Sequence, residues 1–576
     1  MTVTSKPLRP LRSIARRHFL AAIPAAFGAT LAAGAAQEQP PRVGKATLDC
    51  AEKIMGVDYT DAEEEAAAAG VSRNLDAFER LRKLTIPLDT EPAIGFRPYL
   101  PGQPPGGHAT PGARIRIASA IRSPRPQSLD QLAFLPITAL APLLERREVS
   151  STELTRMYLE RLRTFGPKLN CVVTLTDTLA LAQAAEADRE IRAGRYKGPL
   201  HGIPWGAKDL FATKGIPTTW GAAPFRDQVF DYDATIVERL HAAGAVLVAK
   251  LSMGALAQGD RWFGGQTKNP WNPEDPNPQR SGASGSSAGP GAATAAGLVA
   301  FGIGTETRGS IISPSNANGV TGLRPTYGRV SRHGAMALSW TMDKVGPMCR
   351  SVEDCALVFN AIYGPDGQDD SVVESEFNPK PEDAASAGRG GSGTATSAPT
   401  AEQREARKKI FADALEVYRQ GGAALEALEL PPSITEIATM ISFVLTTEGS
   451  AAFDDLMRSK DASDPSLNTW PNAFRTHRFV PAVEYIRAQR ARTLLMREMD
   501  TLMKRFDVLL SPTASATLGV TNLTGHPAIA LKAGFLDNAP VELMITGQLY
   551  DESTLLGAAL AFERATTWHT RNPNLT

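Results

Sequence analysis

Apolar residues recur at helical spacing in several stretches of this chain and cluster into short blocks in others, so helices and strands are both expected. Ser150-Ser151-Thr152-Glu153 has the form of a helix N-terminus, with a hydroxyl able to cap and an acid three residues on. Helical periodicity continues to Arg163 and returns from Asp177 to Ala193, leading into a strand after Pro204. From Ala288 to Leu298 the residues are mostly Ala and Gly, which suits a helix packed closely against a neighbour, and Leu298–Ile303 then reads as a buried strand. An earlier helix is expected over Thr60–Lys83, a Pro/Gly-rich linker over Leu100–Gly112 and a last helix over Glu552–Ala561. Glu382–Ala401, rich in Gly, Ser, Ala and Thr, carries too little apolar surface to offset the entropy of ordering and reads as a flexible loop, with amphipathic helices after it.

The first 36 residues have a different pattern. Arg9, Arg12, Arg16 and Arg17 precede an apolar run, Phe19 to Ala36, that ends Ala33-Gly34-Ala35-Ala36-Gln37. This order predicts a cleavable export signal, and Arg16-Arg17-His18-Phe19-Leu20 fits the twin-arginine type, which implies a bacterial protein exported to the periplasm or secreted. The alternative is an uncleaved membrane anchor, against which the run is short and Ala-rich. No other segment has the length and apolarity of a span, so no stable membrane span is expected after processing.

The 61 basic and 61 acidic side chains cancel, which gives no sign of nucleic acid as a partner. Cys50, Cys171, Cys349 and Cys355 lack metal-ligand spacing, and the eight histidines form no HExxH or comparable cluster. No metal or cofactor is therefore expected, while one disulfide remains open to an exported chain. His201 and His333 read as core or surface residues.

Candidate chemistry concentrates in Ser281–Ser310. Gly285-Ser286-Ser287-Ala288-Gly289 is a turn of small residues able to expose backbone N–H groups, and Thr305-Glu306-Thr307-Arg308-Gly309-Ser310 forms a second. Together they suit a nucleophile beside an oxyanion hole, and equally a Gly/Ser-rich loop that closes a βα unit or binds phosphate. A Walker lysine and a GxSxG elbow are both lacking, so something else must activate a serine here.

The segment resembles the motif of the amidase signature family of serine amidohydrolases, GGSSGGS, then a small-residue helix, then GTDxGGSIR. Ser310 comes 24 positions after Ser286, the family's spacing. Gly322-Leu323-Arg324-Pro325-Thr326-Tyr327-Gly328-Arg329-Val330-Ser331 is similar to its GLKPTYGRVS segment, and Asp343–Met348 with Arg350–Asp354 to its DxVGPMxRSVED segment. Upstream, His201–Asp209 resembles the GIPxxxKD strand. Asp507–Thr513, Asn522–Pro527 and Pro540–Gly547 look like three closing strands.

The resemblance implies an α/β fold: a single large domain over residues 134–571 with a central mixed β-sheet covered by helices on both faces, after a helical extension at 37–133. It also implies a Ser-Ser-Lys triad. Ser310 is the expected nucleophile, Ser286, on a cis peptide bond, the relay, and Lys208 the base, its pKa lowered by burial. Backbone N–H groups of Thr307, Arg308, Gly309 and Ser310 would form the oxyanion hole, with Ser287 in support. Three departures stand out: Glu306 for the usual aspartate, Arg308 for a glycine, and Ile312 for an arginine. Lys532 also replaces a common proline.

The leading expectation is an amidohydrolase that cleaves a small-molecule or peptide amide through an acyl-serine to a carboxylate and ammonia or an amine. Either a monomer or a homodimer would serve. The alternative is the A-type subunit of an aminoacyl-tRNA amidotransferase, releasing ammonia from glutamine, and a third reading is a scaffold that has lost catalysis.

Overall fold

The structure is a computed structural model that describes residues 21–22, 42–84, 94–100, 102–107, 109–111, 128–378 and 401–575. The export-signal reading thus falls outside the described residues, apart from Ala21–Ala22, which pair in parallel with Leu509–Leu510. The expected 382–401 loop also falls outside them, except that Ala401 begins a helix running to Gln420.

A mixed sheet organises the molecule. Its strands are β1 (Val172–Leu175), β2 (Pro204–Lys208), β3 (Val246–Leu251), β4 (Phe301–Glu306), β5 (Thr321–Arg324), β6 (Lys344–Cys349), β7 (Val508–Pro512), β8 (Ala528–Leu536) and β9 (Ala539–Gly547). They lie side by side as β7-β9-β8-β5-β6-β4-β2-β3-β1, with Ala21–Ala22 and Glu426–Ala427 beyond β7. β2 runs parallel to β3 and β4, and the other pairs among these nine are antiparallel. Every residue of β2 and β3 is buried, as strands covered by helices on both faces must be.

Helix α1 (Ser151–Leu169) starts where the sequence predicts: Ser150 accepts from the Glu153 N–H, and the Glu153 carboxylate accepts from the Ser150 N–H. α2 (Asp177–Arg192) packs against it and against β3. All eight residues of α3 (Ala288–Ala295) are buried. A β-carbon at Gly289 would lie 2.5 Å from backbone atoms of Ser252, so only glycine allows this approach. The final helix, Glu552–Ala565, runs a turn longer than expected.

Three expectations are corrected. The strand after α3 begins at Phe301, because side chains hold the carbonyls before it: Arg161 takes Ala296 and Gly297, and Arg350 takes Val299. That strand continues through Thr305 and Glu306, which leaves only Thr307–Ser310 as the turn. Asn522–Pro527 is the end of a helix, Ala516–Thr524, and the turn after it, and strand β8 starts at Ala528.

The extension is joined to the catalytic core. Its Asp61–Lys83 helix places Phe78 and Leu81 in the main hydrophobic cluster, Phe78 edge-on to Phe443 at 5.4 Å, and Arg82 pairs with Glu484 at 2.7 Å. No helix among the described residues is long and apolar enough to cross a membrane.

Candidate active site

Strand β2 ends at Lys208, fully buried among hydroxyls. Its ammonium donates to Ser286 Oγ at 2.8 Å, Thr305 Oγ1 at 2.8 Å and Ser287 Oγ at 3.1 Å. β2 and β4 are neighbours in register, which sets Lys208 beside Thr305, and the turn before α3 brings the two serines over the strand ends. Desolvation outweighs the attraction of Asp343 and Glu306 and lowers the lysine pKa to about 7. A buried amine held by neutral oxygens alone is therefore able to lose its proton near neutrality.

The Gly285–Ser286 peptide is cis, as the family resemblance implies. Ser287 has a positioning place: its Oγ donates to the Thr305 carbonyl at 3.1 Å and accepts from the Thr305 N–H at 3.2 Å. The Ser287 N–H donates to the Ser310 carbonyl at 3.1 Å, which ties the two turns together. Ser310 itself is half-buried, and its hydroxyl makes no hydrogen bond among the described residues. The structure thus joins Lys208 to Ser286 directly, whereas the Ser310 hydroxyl is hydrogen-bonded neither to Ser286 nor to any other described residue.

The turn before Ser310 is ordered by side chains, not by its own amides. Backbone N–H groups of Thr307, Arg308, Gly309 and Ser310 find no acceptor among the described residues. Gly309 sits at φ +108°, a conformation that strains any L-residue. Glu306 anchors the chain just beyond Ser310: one carboxylate oxygen accepts from the Ile311 and Ile312 N–H groups at 2.8 and 2.9 Å, the other from Arg324 at 2.7 Å and Asn522 at 2.8 Å. Burial pushes its pKa up, but Arg324, the Ile312 N–H and Lys344 outweigh it and hold the carboxyl below its usual range. On the other side, Thr307 Oγ1 donates to Asp343 at 2.6 Å, and Asp343 accepts from the Leu338 and Ser339 N–H groups.

The departures from the family motif now have places. Ile312 is buried against Ala528, Ala530 and Met544. Arg308 is exposed and has no acidic partner among the described residues, and the protein around it lowers its pKa by desolvation. Lys532 is buried opposite Glu542 across β8 and β9, where it donates to the carbonyls of His569 and Arg571.

A cavity of roughly 260 Å³ opens beside Thr305 and Thr307. Leu210, Met336, Leu338, Trp340 and Val345 give it apolar walls, and Arg332, His333, Asp343 and Asp369 are among its charged or titratable groups. Arg332 is chelated by Asp369 and Ser371, so its charge is already met. Sequence reasoning missed this wall. His333 belongs to it, whereas His201 is a buried partner of Glu190. All four cysteines are free.

The Amidase family model matches residues 153–519. Among curated proteins, the A-type subunit of the glutamyl-tRNA(Gln) amidotransferase of Methylococcus capsulatus is 34% identical over 486 residues, covering 76% of this chain and 98% of the relative. Its counterpart in Chloroflexus aggregans is 34% identical over 507 residues, covering 78% and 99%. Among solved structures, the native peptide amidase of Stenotrophomonas maltophilia superposes with a TM-score of 0.66 at 28% identity, covering 77% of this chain and 99% of that one.

Proposed function

Because the chain belongs to the amidase family and so hydrolyses amide C–N bonds, we propose that it does so by acylation of Ser310 with Lys208 as the base. The observation that carries this reading is the buried Lys208, bonded to Ser286, close to four unused N–H groups that end at a free serine hydroxyl. Ser310 Oγ attacks the amide carbonyl and gives its proton to Ser286, which passes its own to neutral Lys208. The N–H groups of Thr307, Arg308, Gly309 and Ser310 receive the developing oxyanion, an effect worth about 3 kcal/mol per well-placed donor. The relay then protonates the departing nitrogen, and water repeats the sequence on the acyl-serine to release a carboxylate. Replacing Ser310 with Ala is expected to reduce turnover at least a thousandfold and to abolish labelling by a serine-directed phosphonyl fluoride. Turnover that survives intact would remove Ser310 as nucleophile.

Two substrate readings share this chemistry. The first is a free-standing amidase acting on a small or peptide-derived amide, exported through its N-terminal segment, which a periplasmic location on cell fractionation would support. The second is an amidotransferase component that releases ammonia from glutamine, and the named sequence relatives favour it over the first. One feature of the site also suits it, since unpaired Arg308 offers a counter-charge to the α-carboxylate of glutamine. Ammonia release from glutamine against release from a C-terminal peptide amide, which lacks that carboxylate, separates the two.

A further inference from the structure

The wall of the cavity is held from a part of the chain that the catalytic chemistry does not use. Trp340 lines the cavity with Thr305 and Thr307, yet 48% of its surface is exposed, so its indole faces open space at the edge of the site. Four side chains grip its backbone and that of the next residue: Arg332 donates to the Trp340 carbonyl and Glu448 accepts from the Thr341 N–H, alongside Tyr327 and Arg492. The Tyr327 hydroxyl donates to the Trp340 carbonyl at 2.6 Å, and Arg492 donates to Thr341 Oγ1 at 2.7 Å and to the Thr341 carbonyl at 2.9 Å.

The Tyr327 and Arg492 grips rest on one residue of the N-terminal segment. The Phe96 and Tyr327 rings meet edge-on at 4.9 Å, and the Arg492 guanidinium lies over the Phe96 ring at 3.6 Å from its centroid. Phe96 is buried, with Met496 and Leu100 completing its cluster, and Pro98 packs against Gly525. The same stretch is pinned further on, where the Ala109 N–H donates to Glu374 and the Thr110 N–H to the Tyr363 hydroxyl, each at 2.8 Å. Phe96 therefore stands under two of the four side chains that hold Trp340 and Thr341.

We propose that Trp340 is a specificity-determining residue of the amidase reaction, and that Phe96, through Tyr327 and Arg492, is the positioning residue that sets it. The segment before the catalytic domain then forms part of the substrate site. This rests on the Ser310 reading, because the cavity counts as a substrate site only if the turn beside it is catalytic. An aromatic or extended aliphatic group on the amide would lie along the indole, while a two-carbon amide is too short to reach it.

The test compares acetamide with 3-phenylpropanamide in the full chain. Tyr327→Phe removes only the hydroxyl, and Phe96→Leu keeps an apolar contact while losing the ring. Each is expected to raise the ratio of KM for 3-phenylpropanamide to KM for acetamide about five- to tenfold, with the pH at half-maximal activity unmoved because Lys208 is untouched. Trp340→Ala should give a similar loss of selectivity, and adding Tyr327→Phe to it should change the ratio no further. The proposal is overturned if Tyr327→Phe and Phe96→Leu slow both amides by one factor, if neither alters the ratio, or if Tyr327→Phe acts with full effect on top of Trp340→Ala. Failure of the underlying chemistry shows elsewhere, as turnover that survives Ser310→Ala.

Discussion

At the scale of single residues the site depends on one amine being out of its ordinary state. Lys208 holds its proton up to about pH 7 in the folded protein and up to 10.5 when unfolded, so between these values the unfolded chain binds more protons. That sign leads to two measurements. kcat/KM should climb through pH 7 and level off above it, as neutral amine becomes available. Stability to urea should gain from this residue as pH rises from 7 toward 10.5, and Lys208→Met should remove that slope along with the activity. The carboxylate contact proposed for Arg308 is tested by selectivity: with matched amides, succinamate against butyramide, Arg308→Gly is expected to lower the preference for the anion about tenfold, and equal loss on both would count against it.

At the scale of elements, the turn that carries Ser310 is a strand end stapled to the start of the next helix by Glu306. Glu306→Ala strips the Ile311 and Ile312 N–H groups of their acceptor and leaves Arg324 buried without its partner, a loss of about 3–5 kcal/mol in urea unfolding. Activity should fall more than tenfold in the fraction that stays folded, since the N–H groups lose their aim. Ser150→Ala gives the contrast: its cap serves only the first turn of α1, so about 1 kcal/mol of stability should go with kcat unaltered. That Lys208 and the two serine turns belong to one site was legible in the sequence, because small residues and fixed spacing mark the turns of Ser286 and Ser310, and a resemblance to the GIPxxxKD strand marks Lys208. So was the α1 start, since a capping box is local. Thr305 as a further oxygen around Lys208, Asp343 holding Thr307, and Phe96 beneath the cavity wall were not. Each depends on strands or segments far apart in the chain, and hydrophobic pattern does not report which of them meet. Glu306 read as a mere departure from a motif for the same reason: its partners Arg324 and Asn522 come from β5 and from the helix before β8.

At the scale of the whole molecule, the extension and the catalytic region share a core. Phe78→Ala should cost about 3–5 kcal/mol and lower the midpoint of one cooperative transition, not create a second, because its ring packs among residues of the main cluster. The order of the strands carries a further consequence, for how the protein is made. β8 and β9 are the last strands to be synthesised, yet they lie inside the sheet, between β5 and β7. Until residue 536 has left the ribosome, β5 presents an unpaired edge and the catalytic half stands open beside it. A nascent chain that stalls or is cut before that point exposes a ready template for strand addition, so aggregation of truncated products, more than slow turnover, is the hazard this topology brings to the cell.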